Sequence, residues 1–408
     1  MALLKTPLAL SVSLAVFGAS APALANADSK ATDKAAVKTE AKKSDKWDVL
    51  NPPGEKQTIT IDTNETTWSN LDVSPDGKSI IFDMLGDIYV MPISGGKATA
   101  ITNDRAWNFQ PKFSPDGSKI AFISDREGAE NLWVMDVNGE NMRKVSGESH
   151  NLLHNPAWSP DGQYIAVKQG QVTGRTIPGG SIRMYHISGG KGVVVRERLH
   201  GAKSQKNVAE PAFSQDGKKI YYSVDATAGV RWQYNKNALD SVFEIRSWDL
   251  ATGEEETVIR GSGGAIRPTP SPDGKSLAFV KRIENGKIMQ SALYIKDLKS
   301  GIETEIFAGL DRDLQEANGA QGNTPAFAYT PDGKALVFWS GGVFHKVDIA
   351  SKQAQVIPTR VVAEKQITPA LKFAVDVAPD TFKVKLARWS QISPDGKRVV
   401  FEAFGKIY

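Results

Sequence analysis

Gln110-Pro111-Lys112-Phe113-Ser114-Pro115-Asp116-Gly117-Ser118-Lys119-Ile120-Ala121-Phe122 reads as strand, tight turn, strand. Proline presets φ near −65° at the first central turn position. Aspartate bonds its own backbone two residues on, and glycine takes the left-handed conformation that closes the hairpin. The apolar, β-rich run after the turn supplies the second strand. Asn131 to Asp136 supplies a third and Met142 to Ser146 a fourth, with Asn138-Gly139 as the turn between them. Four short antiparallel strands form a sheet with two faces to cover.

The same turn recurs through the chain. It stands at Asp76-Gly77, Asp116-Gly117, Asp161-Gly162, Asp216-Gly217, Asp273-Gly274, Asp332-Gly333 and Asp395-Gly396. Ser-Pro precedes the pair except for Ser214-Gln215 and Thr330-Pro331. From glycine to glycine the spacings are 40, 45, 55, 57, 59 and 63 residues. Seven copies in phase with strand patterns predict an all-β fold, a β-propeller of four-stranded antiparallel blades with six full blades and a truncated seventh. In radial order each blade covers its neighbour's face.

The boundaries follow from the repeat. Blade one is expected from about Ser69 to Thr102, blade two to Ser146, blade three to Arg198, blade four to Arg260, blade five to Phe307 and blade six to Ile357. Thr359 to Leu386 reads as an insertion before a seventh unit near Arg388. Gln57 to Asp62 alternates polar and apolar, and is expected to complete the final blade. Phe401 to Tyr408 matches Phe82 to Tyr89 position by position, which predicts that residues 47–408 are the propeller of a longer protein.

Residues 1–25 read as a secretory signal peptide: Lys5, an apolar stretch from Pro7 to Ala19, then Ala23-Leu24-Ala25 for cleavage. Residues 26–46 are rich in Ala, Lys, Ser, Thr and Asp, with no aromatic residue, and read as a disordered linker. Export to a bacterial periplasm is the expected destination. No later segment is apolar enough to span a bilayer. With no cysteine there is no disulfide or thiolate metal site. The formal net charge of +4 comes from interspersed acids and bases, which argues against nucleic acid as a partner.

Motifs for chemistry are sparse. The five histidines, His150, His154, His186, His200 and His345, form no His-x-His pair, and there is no Gly-x-Ser-x-Gly elbow. No catalytic residue, metal site or cofactor is expected in this chain. Gly77-Lys78-Ser79 and Gly274-Lys275-Ser276 resemble the tail of a phosphate loop, but lack its earlier glycine. The repeated aspartates read as turn caps. Asp125-Arg126 and Asp311-Arg312-Asp313 read as solvated pairs or locks between blades. The insertion from Asp225 to Asp240 carries Arg231, Trp232, Tyr234 and Lys236, aromatic residues beside cations. Either it offers a partner-binding loop, or these side chains fold back onto the propeller.

The unit Pro111-Lys112-Phe113-Ser114-Pro115-Asp116-Gly117, with Leu132-Trp133-Val134-Met135-Asp136 after it, resembles the repeat of the TolB propeller family. The resemblance runs from Trp47 to Tyr408 and implies a fold, not an activity. Trp68 to Val73, Gly263 to Pro270 and Leu310 to Asp313 look like segments of exported proteins in which such a propeller precedes an amidohydrolase domain. The resemblance implies a non-catalytic propeller that gates or positions substrate for a catalytic domain in cis. Two alternatives stand beside it: a stand-alone module that binds a protein or peptide, and the propeller of a prolyl-oligopeptidase-type peptidase.

Overall fold

The computed structural model describes residues 47–171, 179–201, 203–233, 240–286, 288–312, 314–317, 319, 321–369, 372 and 374–408. The expected signal peptide and linker lie outside them. Trp47–Tyr408 forms one compact unit. Its described residues contain strands and turns and no helix.

Five sheets are four-stranded and antiparallel, and each follows sequence order from its innermost to its outermost strand. Unit 2 is Asn108–Phe113, Lys119–Ser124, Asn131–Asp136 and Arg143–Lys144. Units 3, 4, 5 and 6 begin with the innermost strands Asn151–Trp158, Val208–Phe213, Ile266–Pro270 and Ala328–Tyr329. Unit 1, Leu71–Val73, Ser79–Met84, Asp87–Pro92 and Gly96–Ala100, belongs to a six-stranded sheet.

The turns are built as the sequence predicts. In unit 1 the Ser74 hydroxyl donates to Asp76 Oδ1 at 2.6 Å, and Lys78 N–H to the same oxygen at 3.1 Å. Ser79 N–H donates to Ser74 Oγ, and Gly77 has φ +72°. These bonds hold the Asp76 carboxyl below the usual carboxylate range, the Ser74 hydroxyl contributing most. The other six turns repeat the pattern. They also stack. A Cβ placed on Gly117, Gly162, Gly217, Gly274 or Gly333 would meet Pro75, Pro115, Pro160, Gln215 or Pro272 of the preceding unit at 3.4–3.9 Å. At Gly77 the neighbour is Pro331 of unit 6.

Unit 6 packs on unit 1 elsewhere too. Leu71 N–H donates to Ala326 O, and Ala326 N–H to Asn70 Oδ1. One apolar cluster joins Leu71, Phe82 and Tyr89 to Val337 and Phe344.

Two expectations about the ends are corrected. Gln57–Thr63 does not complete a last unit. It pairs antiparallel with Thr359–Ile367, which pairs in parallel with Gly96–Ala98 on the outer edge of unit 1. The segment read as an insertion from Thr359 therefore opens as a strand. Arg388–Ile392, Val399–Ala403 and Lys406–Ile407 make a separate three-stranded sheet with a largely exposed surface.

Candidate functional site

The innermost strands carry the site. In units 2 to 5 each one shifts register at a bulge: Phe109/Lys112, His154/Ala157, Ala209/Ala212 and Ile266/Thr269. At each bulge a polar residue with positive φ precedes a proline. These residues are Gln110, Asn155, Glu210 and Arg267, with φ between 54° and 57°. A bulge re-aims a side chain, and proline fits there because it has no N–H to offer a ladder. Asn tolerates this backbone. For the other three it costs on the order of 1–3 kcal/mol each.

The four residues form a polar collar. Asp83 binds it to unit 1, accepting from Asn70 N–H at 2.7 Å and Gln110 N–H at 2.7 Å. Gln110 Oε1 accepts Asn155 N–H at 2.7 Å. Glu210 accepts Arg267 N–H at 2.8 Å and the Ser223 hydroxyl at 2.6 Å, and lies 3.3 Å from Arg267 Nη2. A side-chain oxygen of one unit thus repeatedly caps the backbone N–H of the next. Burial pushes the Asp83 carboxyl up to about 6, against the pull of these bonds.

Below the collar lies a cavity of about 460 Å³ lined by all six units. Its wall includes Asp72, Lys112, Ala157, Ala212 and Thr269. Asp72 and Lys112 pair at 3.2 Å. Trp158 Nε1 donates to Lys112 O at 3.1 Å. Pro75, Pro115, Pro160, Gln215, Pro272 and Pro331 ring the far end. The charged groups of this wall balance, Asp72 with Lys112 and Glu210 with Arg267, so the wall carries no net charge.

Residues between units 5 and 6 cover the collar. Gln321 O accepts Gln110 Nε2 at 2.6 Å and Asn155 Nδ2 at 3.0 Å. Gly322, with φ +118°, lies against the Arg267 guanidinium: a Cβ there would fall 2.4 Å from Nη2. Gln315 Nε2 donates to Gly263 O at 2.9 Å.

The three segments that resembled amidohydrolase-associated propellers meet around this loop. Trp68 packs at a tilt on Trp339, ring centroids 6.0 Å apart, in a narrow cleft with Leu310, Asp311 and Asn323. Gly263 and Arg267 come from the second segment. Asp313 lies outside the described residues.

In the Asp225–Asp240 insertion, Arg231 is exposed but Trp232 is buried. Trp232 N–H donates to Gln205 Oε1 at 3.0 Å. Trp232 therefore folds back into the packing, one of the two readings open for this insertion. Tyr234 and Lys236 lie outside the described residues. Of the charged clusters, Arg126 pairs with Asp104 at 2.9 Å within the second unit, whereas Asp311 of unit 5 accepts Gly341 N–H of unit 6 and so links two units. Among the described residues no group of three or more His, Cys, Asp or Glu could hold a metal ion. No helix among them is long and apolar enough to cross a membrane.

Sequence reasoning missed the collar. A signal for it was present: a polar residue followed by proline, four positions before the turn serine, in four successive units.

The family described as Tricorn protease N-terminal beta propeller domain matches residues 69–258. The uncharacterized peptidase YuxL of Bacillus subtilis is 28% identical over 194 residues, covering 47% of this chain and 24% of that protein. The Tol-Pal system protein TolB of Francisella tularensis is 25% identical over 226 residues, 54% of this chain and 46% of that protein. The chain thus spans less than half the length of these relatives. Among solved structures, TolB from Acinetobacter baumannii superposes with a TM-score of 0.52 at 15% identity, over 73% of this chain and 65% of that one. Units, turn chemistry and these likenesses agree on the fold, a TolB-like β-propeller.

Proposed function

We propose that this propeller is a binding module that takes an extended polypeptide into its central cavity. One observation carries the reading: six units converge on a single cavity with balanced charge, ended by a collar of buried polar side chains. Peptide backbone is neutral and offers donors and acceptors at every residue, which suits such a wall. The likenesses to TolB and to a peptidase support a protein or peptide as the partner.

The finer architecture we infer is six blades in a closed circle, with residues 388–407 outside it. The return contacts of unit 6 on unit 1 support it. In a longer protein the module would screen chains for a catalytic domain in cis. A peptidase domain is favoured by the match to the Tricorn propeller family. An amidohydrolase domain rests on the three segments around the collar. Export to the periplasm rests on residues 1–25.

The test is binding of a fluorescently labelled, reduced and carboxymethylated polypeptide to the full chain, followed by anisotropy. Ala212→Arg places a long cation in the cavity wall and is expected to weaken binding about tenfold or more, with the melting temperature little changed. Equal binding by the variant and the parent would overturn the reading.

A further inference from the structure

Gln321-Gly322 touches the collar as a bound peptide would. Its carbonyl takes two side-chain N–H donors, one from unit 2 and one from unit 3. Its glycine leaves the gap that the Arg267 guanidinium fills. Three collar atoms stay open beside it. Asn155 Oδ1, Arg267 Nε and Arg267 Nη2 are buried and carry no hydrogen bond among the described residues. The first can accept a peptide N–H, and the second can donate to a carbonyl. Leaving such groups unmet is costly in a fold that satisfies most of its buried polar atoms.

We propose that the collar of Gln110, Asn155, Glu210 and Arg267 is a subsite for one X-Gly peptide unit of an extended polypeptide, and that Gln321-Gly322 is its built-in occupant. The inference rests on the cavity being a polypeptide site, and adds which peptide unit is read and what holds its place. The two amide side chains fix the carbonyl. The Arg267–Glu210 pair closes the space where a side chain on the next residue would go. An incoming X-Gly unit displaces the loop, so the apparent affinity of the intact chain is lowered by the fraction of time the loop is seated.

The probe is a labelled, end-capped heptapeptide with the sequence of residues 319–325, Gly-Ala-Gln-Gly-Asn-Thr-Pro. Gly322→Val in the full chain forces the loop off the collar. The heptapeptide is expected to bind this variant about tenfold tighter than the parent. Adding Gln110→Glu keeps the acceptor for Asn155 N–H but replaces the donor with a carboxylate oxygen, and is expected to abolish the gain. A heptapeptide with valine for its second glycine is expected to bind about tenfold more weakly.

Hydrogen exchange of the otherwise unaltered chain guards against misfolding of Gly322→Val. Gln110→Glu alone is expected to speed exchange across residues 321–323. Equal heptapeptide affinity with and without Gln110→Glu, together with unchanged exchange, overturns the subsite. If the carboxymethylated polypeptide still binds and still depends on Ala212, only the subsite falls. If neither probe binds parent or variants, the cavity reading falls with it.

Discussion

Asp83 shows how one residue can set both architecture and pH response. Its carboxylate accepts three N–H groups, yet burial pushes it up to about 6. The folded state therefore holds the Asp83 proton more tightly than the unfolded chain does, where the ordinary value is 3.8. Its contribution is fully present below that value and is lost as pH rises through about 6. Between pH 5 and pH 7 the loss is about 1 kcal/mol. Asp83→Asn removes the titration. The stability gap between parent and variant is expected to be larger at pH 5 than at pH 7 by that amount, read from urea unfolding at both values. An equal gap at both would refute the assignment. The repeated turn aspartates titrate the other way and at lower pH, so they do not mask the window. Those aspartates were legible in the sequence because their partners lie within five residues. Asp83 was not, because its partners Asn70 and Gln110 lie 13 and 27 residues away.

At the scale of elements, local chemistry made the hairpins readable and left long-range pairing unread. Thr359–Ile367 alternates Val361 and Ala363, packed against the core, with Arg360, Val362 and Glu364. That is the pattern of a half-buried strand, but its partners Gly96–Ala98 and Gln57–Thr63 lie more than 260 and 290 residues away. No local rule names such partners. Its worth can be measured by contrast. Val361 is 1% exposed and joins the cluster of Leu71, Phe82 and Phe344, while Val362 is 38% exposed. Val361→Ala is expected to cost roughly 2 kcal/mol by lost burial and the space left behind. Val362→Ala is expected to stay within about 0.5 kcal/mol. Equal losses in chemical denaturation would mean that the strand does not clamp the outer edge of unit 1.

For the whole molecule, the seventh copy of the repeat behaves unlike the other six. Ile80 and Ile81 in unit 1 are 0% exposed, whereas Val399 and Val400 at the matching positions are 55% and 49% exposed. Gly396 meets no neighbouring turn within 4 Å. Counting turns in the sequence gives seven. Which sheets meet face to face depends on contacts between unit 1 and unit 6, about 250 residues apart, and turn chemistry does not encode them. If the six units hold one another without the seventh, a chain stopped after Thr368 keeps the strand Thr359–Ile367 and should melt within about 2 °C of the full chain. A chain stopped after Pro358 loses that strand and bares the edge of Gly96–Ala100, so it should melt several degrees lower. Trp389 and Ile392 add to the apolar surface of the three-stranded sheet, at 81% and 72% exposed. A patch of this kind on an open sheet edge promotes association. In sedimentation the full chain is expected to self-associate with concentration, while the chain ending at Thr368 stays monomeric. If stopping after Thr368 lowers the melting temperature as much as stopping after Pro358, residues 388–407 belong to the cooperative fold and the six-unit account is wrong.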